Sequence, residues 1–176
     1  MRFPLQIKSM IRQQPEDLDL QPEISASPFR GLMESIIGVA ALTHLGFLIA
    51  FYLAGLTLLA YVNIASILCY VLAYFLARRG AIAPALVLTV IEVTGHAVVA
   101  TLILGLESGF QYYLTLVIPV AVTSTIRSPI VKGAMVFGIV CIYFGLELSL
   151  RHQAPPQIPS STALDRLYYF NILAYL

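Results

Sequence analysis

Charged side chains are scarce in this sequence. Only 11% of its 176 residues are Asp, Glu, Lys or Arg, whereas 59% are hydrophobic, and an ordinary soluble domain is about 25% charged. A soluble chain of this length could not hide so much apolar surface in one core, which points to the lipid bilayer as the solvent of most residues. The formal net charge of +1 argues against the basic surface that nucleic-acid binding needs, so we expect no nucleic-acid partner.

Cysteine and catalytic motifs are scarce as well. The two cysteines, Cys69 and Cys141, lie in apolar runs and are typical of small buried residues rather than of a disulfide framework. The sequence contains no phosphate-binding glycine loop, no zinc-protease motif and no nucleophile beside a base, so it predicts no catalytic residue. It also contains no internal repeat of the kind found in many transporters.

Long apolar runs follow residue 30. Because a bilayer core needs about 20 helical residues, these runs predict an all-α integral membrane protein, a six-transmembrane-helix bundle whose sixth helix is incomplete at the C-terminus. The transmembrane domain would cover 31–176, with helices at about 31–54, 56–77, 81–104, 110–127, 130–150 and 167–176. Residues 1–30 combine several prolines with acidic and basic residues, and they predict a separate cytoplasmic segment.

The positions of lysine and arginine predict the orientation, because these residues concentrate on the cytoplasmic side of membrane proteins. With the N-terminus inside, the cytoplasmic segments would hold eight of the ten basic residues: Arg2, Lys8, Arg12, Arg30, Arg78, Arg79, Arg127 and Lys132. The outer side would hold only Arg151 and Arg166. We therefore expect a multi-pass protein of the inner (plasma) membrane with a cytoplasmic N-terminus.

Glu92 and His96 interrupt the third apolar run and, four residues apart, share one face of its helix. A charged residue at this depth costs roughly 2.5 to 3.5 kcal/mol on insertion scales, so such residues usually face the bundle interior and have partners. The simplest pairing joins the Glu92 carboxylate to the His96 imidazole. His44 in the first helix and Asn63 in the second lie at similar predicted depths and complete a candidate cluster.

Three interpretations of this cluster are open from the sequence alone. Glu92, His96 and His44 are a plausible set of metal ligands, although their spacing matches no known metal motif. They could instead line a polar pocket for a small-molecule or lipid ligand. The third interpretation is an interhelical hydrogen-bond clamp with a purely structural role.

A second group of candidates follows the third helix. Glu107, Gln111, Tyr112 and Tyr113 lie in and after a short polar break. Tyrosines at this position are typical of the aromatic belt at the outer membrane surface. The alternative is that the four residues line a pocket that opens to the outside.

The same region carries a family resemblance. The pattern E-x-x-x-H at Glu92–His96, the dipeptide LG at 104–105 and the segment SGFQYYL at Ser108–Leu114 resemble the six-helix membrane domain of bacterial class III adenylate cyclases. The resemblance extends to YVNIASILCYVLAYFLARRG at Tyr61–Gly80 and covers roughly residues 42–150. Related membrane domains precede some diguanylate cyclases and histidine kinases.

The resemblance implies a membrane anchor and receptor domain that has both ends in the cytoplasm and works as a homodimer. It implies that conversion of ATP to cyclic AMP and diphosphate, with Mg or Mn, belongs to a domain after Leu176, so this chain itself would hold no cofactor. Its expected partners are the lipid bilayer, a second copy and a small-molecule or lipid ligand. The alternatives are a membrane sensor of a diguanylate cyclase or histidine kinase, and a small proton or solute transporter that uses Glu92 and His96.

Overall fold

The computed structural model describes residues 21–124, 126–154 and 161–175, and within these ranges the protein is all-α, without strands. The helices are α1 Gln21–Leu53, α2 Thr57–Arg78, α3 Ile82–Leu104, α4 Tyr113–Thr123, α5 Pro129–Leu150 and α6 Ser161–Tyr175. Two single 3₁₀ turns, Leu106–Ser108 and Phe110–Tyr112, connect α3 to α4. The prediction of an all-helical protein is confirmed. Most of the predicted cytoplasmic segment, 1–20, lies outside the described residues.

Four helices are long and apolar enough to cross a membrane: Phe29–Leu53, Thr57–Arg78, Ile82–Leu104 and Pro129–Leu150. The shortest of them has 22 residues, and at 1.5 Å per residue it measures about 33 Å, against about 30 Å for a hydrocarbon core. Large apolar side chains stand exposed on these helices, among them Leu42 at 70%, Leu68 at 65% and Leu148 at 74%. The chain therefore has the helices and the apolar outer surface of a multi-pass membrane protein.

Tight glycine turns join the first three helices. Gly55 and Gly80 have φ angles of +74° and +79°, a left-handed conformation that glycine adopts without a steric penalty. At the first turn the Leu56 amide donates to the Phe51 carbonyl at 2.9 Å and the Gly55 amide donates to the Tyr52 carbonyl at 3.1 Å, which is the Schellman pattern of a helix end. Such short connections reverse the chain, so α1 and α3 run parallel and α2 runs opposite to both.

The fourth helix is shorter than the predicted 110–127. Its eleven residues measure about 16 Å, against about 30 Å for a hydrocarbon core, and the 3₁₀ turn before it extends the apolar helical segment to Phe110–Thr123. Gly109, with a φ of 80°, turns the chain just before the helix, and Ser124 is extended just after it. Lys132 of α5 donates to the carbonyl oxygens of Val122 and Ser124 at 2.8 Å each, which satisfies the acceptors left free at the end of the helix.

Two other helices begin earlier than predicted. The first begins at Gln21 rather than Gly31, although its membrane-length portion begins at Phe29. The sixth begins at Ser161 rather than 167. In both cases the added residues are largely polar. A prediction based on apolar runs omits such residues, because a helix can continue beyond the apolar layer.

The third helix lies at the centre of the packing. It contributes Ala100 to the apolar cluster near the α1–α2 turn, Ala85 to the cluster at the opposite end, and Ala97 to the cluster formed with α4 and α5. Alanine at these positions lets neighbouring helices approach closely. Polar residues of α3 therefore face other helices rather than lipid.

Candidate functional site

The structure brings together three of the four residues in the predicted cluster. One potential ligand atom each from His44, Glu92 and His96 lies within 4.8 Å of the others, and the three residues are only 7%, 9% and 7% exposed. His44 and His96 each lie more than two turns before the end of their helices, at Leu53 and Leu104. Because α1 and α3 run parallel, this places the two histidines at the same depth.

Glu92 contacts His44 rather than its helical neighbour His96. The distance between Glu92 Oε1 and His44 Nε2 is 3.4 Å. The His44 Nδ1 atom lies 2.8 Å from the carbonyl oxygen of Ala40. Since a carbonyl oxygen only accepts, Nδ1 carries the hydrogen of that bond. The predicted pairing of Glu92 with His96 is wrong, because His44 of α1 lies within contact distance of the Glu92 carboxylate.

His96 binds α2 instead. Its Nδ1 atom lies 3.4 Å from Ser66 Oγ, and the Ser66 hydroxyl donates to the Val62 carbonyl at 3.1 Å. The hydroxyl hydrogen of Ser66 is used in the bond to Val62, so Ser66 Oγ can only accept from His96. His96 Nδ1 therefore carries a hydrogen and donates it to Ser66 Oγ. Both imidazoles thus use Nδ1 to contact supporting groups, and the Nε2 atom of each is buried without a hydrogen-bond partner.

The centre of the cluster has more polar atoms than hydrogen bonds. His44 Nε2, His96 Nε2, both carboxylate oxygens of Glu92 and the Tyr70 hydroxyl are all buried without a hydrogen-bond partner. The Tyr70 ring lies 4.9 Å from the His44 ring. Native proteins leave few buried polar atoms unsatisfied, and such groups call for an explanation. This concentration at one point distinguishes the cluster from an ordinary structural clamp.

Aromatic rings separate the cluster from the nearer end of the bundle. Phe47 lies 6.3 Å from the rings of both His44 and His96 and is stacked on the latter. Phe110 lies 5.0 Å from Phe47 and 5.9 Å from His96. Both phenylalanines are fully buried, so water has no open path to the cluster from this side.

A cavity of about 320 Å³ adjoins the cluster, at the lower end of the range for small-molecule sites, about 300–1,000 Å³. It lies between α1, α3 and α4, and His44, His96 and Tyr70 are among its lining residues. The rest of the lining is mainly aliphatic. Val39 lines the cavity and is 63% exposed, so the cavity opens to the surface of the bundle beside α1.

Asn63, the fourth predicted member, has a hydrogen bond within its own helix, and its Oδ1 is buried without a hydrogen-bond partner. It is fully buried on α2 and donates to the Leu59 carbonyl at 2.8 Å. Ser66, which contacts His96, lies nearly one turn further along the same helix. Sequence reasoning missed Ser66, because a serine in an apolar run is common and is not by itself a signal of a site.

The second group of candidates is mostly structural. Gln111 is buried and donates to the Leu106 carbonyl at 2.9 Å, which closes the turn between the two 3₁₀ segments. Glu107 and Tyr112 are exposed. Of the four residues only Tyr113 lines the cavity. The structure thus separates these residues rather than gathering them around one pocket.

Asn171 of α6 connects this region to the last described helix. Its amide donates to the Ser108 carbonyl at 2.6 Å, and its Oδ1 accepts from the Tyr113 hydroxyl at 3.3 Å. It is only 2% exposed. Sequence reasoning missed Asn171, although an asparagine in the run LYYFNILAYL is itself a polar interruption of an apolar segment.

The fold and the cluster define a class: an all-helical, multi-pass membrane protein with two histidines and a glutamate buried beside a cavity. No family model matches the chain, and no curated protein or solved structure matches it either.

Proposed function

We propose that the chain is the membrane anchor and sensory domain of a class III adenylate cyclase. In this proposal it regulates cyclic AMP synthesis by a cytoplasmic catalytic domain encoded after Leu176, which would hold the Mg or Mn ions. The cytoplasmic N-terminus, the inner membrane and a homodimer belong to the same proposal. Its support is the resemblance of Glu92–His96 and Ser108–Leu114 to such domains, together with the position of α6.

The observation that carries the proposal is the connection of α6 to two walls of the cavity. On the α1 wall, the Phe170 ring lies 5.0 Å from the Phe47 ring, and Phe47 in turn stacks on His96. On the α4 wall, Tyr113 lines the cavity and bonds to Asn171. A change at the buried cluster can therefore reach α6 through side chains in direct contact.

This arrangement suits a two-state sensor. A ligand in the cavity that binds one spacing of α1 and α4 more tightly would increase the population of molecules with that spacing. The position of α6 that accompanies this spacing would then become more populated as well. In the proposed architecture α6 leads towards the catalytic domain, so its displacement would change how two catalytic domains meet. The shift is limited by the ligand's difference in affinity for the two states.

The first test is the sequence encoded after Leu176. A cytoplasmic helix followed by a nucleotide cyclase domain is the expected result, and a stop codon shortly after the sixth helix would overturn the proposal. The second test is cyclic AMP made by the longer protein in cells without their own cyclase. Phe170→Ala should change the basal rate several-fold, whereas Phe137→Ala, a large exposed side chain on α5, should not.

The measured product separates the related alternatives. Cyclic di-GMP or a phosphorylated histidine in place of cyclic AMP would indicate a diguanylate cyclase or a histidine kinase with the same kind of membrane sensor.

A small transporter is favoured by one observation, the ionisable pair His44 and Glu92 in the interior of the helix bundle, since such groups serve as proton relays. Proton flux in liposomes that Glu92→Gln abolishes would support that alternative.

A further inference from the structure

We propose that His44, Glu92 and His96 bind one divalent transition-metal ion, with zinc as the reference ion. The inference deepens the proposed function by naming the ligand class of its site, and it rests on that function only for its signalling role. Metal binding itself is a property of this chain and can be measured without any catalytic domain.

The ligand set is the first argument. Two imidazole nitrogens and one carboxylate are the protein ligands of many open zinc sites and of non-haem iron(II) sites. Here the unpartnered atoms are the Nε2 atoms of His44 and His96 and both oxygens of Glu92. No thiolate competes for the ion, since Cys69 and Cys141 are not members of the cluster.

The orientation of the histidines is the second argument. Metal-bound histidines nearly always donate their other ring N–H to a carbonyl, carboxylate or water, which fixes the tautomer. His44 Nδ1 donates to the Ala40 carbonyl at 2.8 Å, and His96 Nδ1 faces Ser66 Oγ at 3.4 Å. Each ring therefore presents an unprotonated Nε2 lone pair to the centre when it is neutral.

Electrostatics supplies the third argument. With Nδ1 of His44 donating to a carbonyl, its Nε2 faces a carboxylate oxygen at 3.4 Å. When His44 is neutral these are two acceptors that repel each other, and a positive charge between them, either a proton on Nε2 or a metal ion, removes the repulsion. Burying the carboxylate alone would also carry a large desolvation cost, which a divalent ion offsets.

The distances are compatible with an ion. Two ligand atoms about 2.0–2.1 Å from a tetrahedral zinc lie about 3.3 Å apart, close to the 3.4 Å between His44 Nε2 and Glu92 Oε1. One potential ligand atom of each of the three residues lies within 4.8 Å of the others, so closing a site on those atoms requires a change of at most about 1.5 Å between any two of them. His44 and His96 also contribute to the cavity wall, so the site lies next to the cavity.

The test is zinc binding to the full chain, purified in detergent and stripped with a chelator. Wild type should bind about one zinc per chain, and His44→Ala and Glu92→Gln should each weaken binding at least about tenfold, the lower limit for losing even a supporting group. His152→Ala is the matched control, because His152 is the one other histidine of the chain and is exposed. It should bind zinc as wild type does.

A second measurement guards against variants that fail to fold. Glu92→Gln keeps the size of the side chain, and its circular dichroism should match that of wild type. Cobalt(II) in place of zinc should give visible absorption bands in wild type and in His152→Ala but not in Glu92→Gln. Zinc should raise the midpoint of thermal unfolding of wild type and leave that of Glu92→Gln unchanged.

Two results would overturn the inference: wild type that takes up neither zinc nor cobalt, and variants that bind zinc as tightly as wild type. Failure of the proposed function would look different. If wild type binds zinc while the cyclic AMP output of the longer protein is the same with and without chelator and in Glu92→Gln, the result would support the metal site and contradict its signalling role. If Glu92→Gln changes cyclic AMP output although wild type binds no metal, the result would support the proposed sensory function and contradict the metal site.

Discussion

His44 of α1 and Glu92 of α3 face each other at 3.4 Å, with side chains only 9% and 6% exposed. The contact joins two parallel helices that both also pack against α2. It connects the second half of α1 to the middle of α3. The cluster around this contact is the feature on which the following predictions depend.

Removing one partner of the contact should destabilise the metal-free protein strongly. When Nε2 of His44 carries a proton in the metal-free protein, it faces the Glu92 carboxylate as the cation of a buried pair, and His44→Ala then leaves that carboxylate unpaired, a change that typically costs about 3–5 kcal/mol. The double variant His44→Leu with Glu92→Leu removes both charges and should recover most of the loss. The measurement is thermal unfolding in detergent with chelator present. Equal stability of His44→Ala and wild type would show that the contact has no energetic role.

Ser66→Ala should weaken zinc binding by about 10- to 100-fold without removing a ligand, as expected for the loss of a supporting hydrogen bond. Its Oγ orients His96 by accepting from Nδ1. Ser149→Ala is the control, since Ser149 is exposed on α5. The zinc titration described above is the measurement, and unchanged affinity for Ser66→Ala would contradict the assigned orientation of His96.

Asn171→Leu should loosen α6 from the bundle. The variant loses a bond to the Ser108 carbonyl and one from Tyr113, and a buried carbonyl left unsatisfied costs about 1–3 kcal/mol. Tyr113→Phe removes only the second bond and should cost less. Tyr169→Phe, at a residue 70% exposed, should have no effect. Unfolding midpoints and proteolysis of α6 would report the difference, and identical values for Asn171→Leu and Tyr169→Phe would count against this attachment.

Two glycines should respond differently to the same substitution. Gly109 has a φ of +80°, and an added Cβ would lie 3.4 Å from Tyr168 Cδ2, so Gly109→Ala should cost about 1–2 kcal/mol. Gly95 is helical with no heavy atom within 4 Å of an added Cβ, so Gly95→Ala should be neutral or up to about 1 kcal/mol more stable. Thermal unfolding distinguishes the two. Equal effects would mean that the turn before α4 tolerates other backbone conformations.

Single cysteines test the orientation predicted from the basic residues. After Cys69 and Cys141 are replaced by alanine, Ala54→Cys in the α1–α2 turn should react with an impermeant maleimide on intact cells. Arg79→Cys in the α2–α3 turn should react only after lysis, because that turn is predicted to face the cytoplasm. Both sites are exposed. The reverse pattern would invert the predicted topology.

The sequence alone determined the features that depend on near neighbours. Four long apolar helices follow from composition and length, and the shared face of Glu92 and His96 follows from helical spacing. The shortness of α4 was beyond such reasoning. Apolar residues form the turns and the extended segment around α4 as readily as they form helix. The free carbonyl oxygens at the end of α4 accept from Lys132 of α5, a contact that the local sequence does not reveal.

The partners within the site were decided by the tertiary structure. Helical spacing suggested that Glu92 binds His96, yet the positions of α1 and α2 give each of them a different partner, His44 and Ser66. Asn171 likewise acquires its role from residues that precede it by 58 and 63 positions. Local sequence determines which residues share a helix face, whereas pairing between helices depends on their depth and rotation, which packing along their whole length determines.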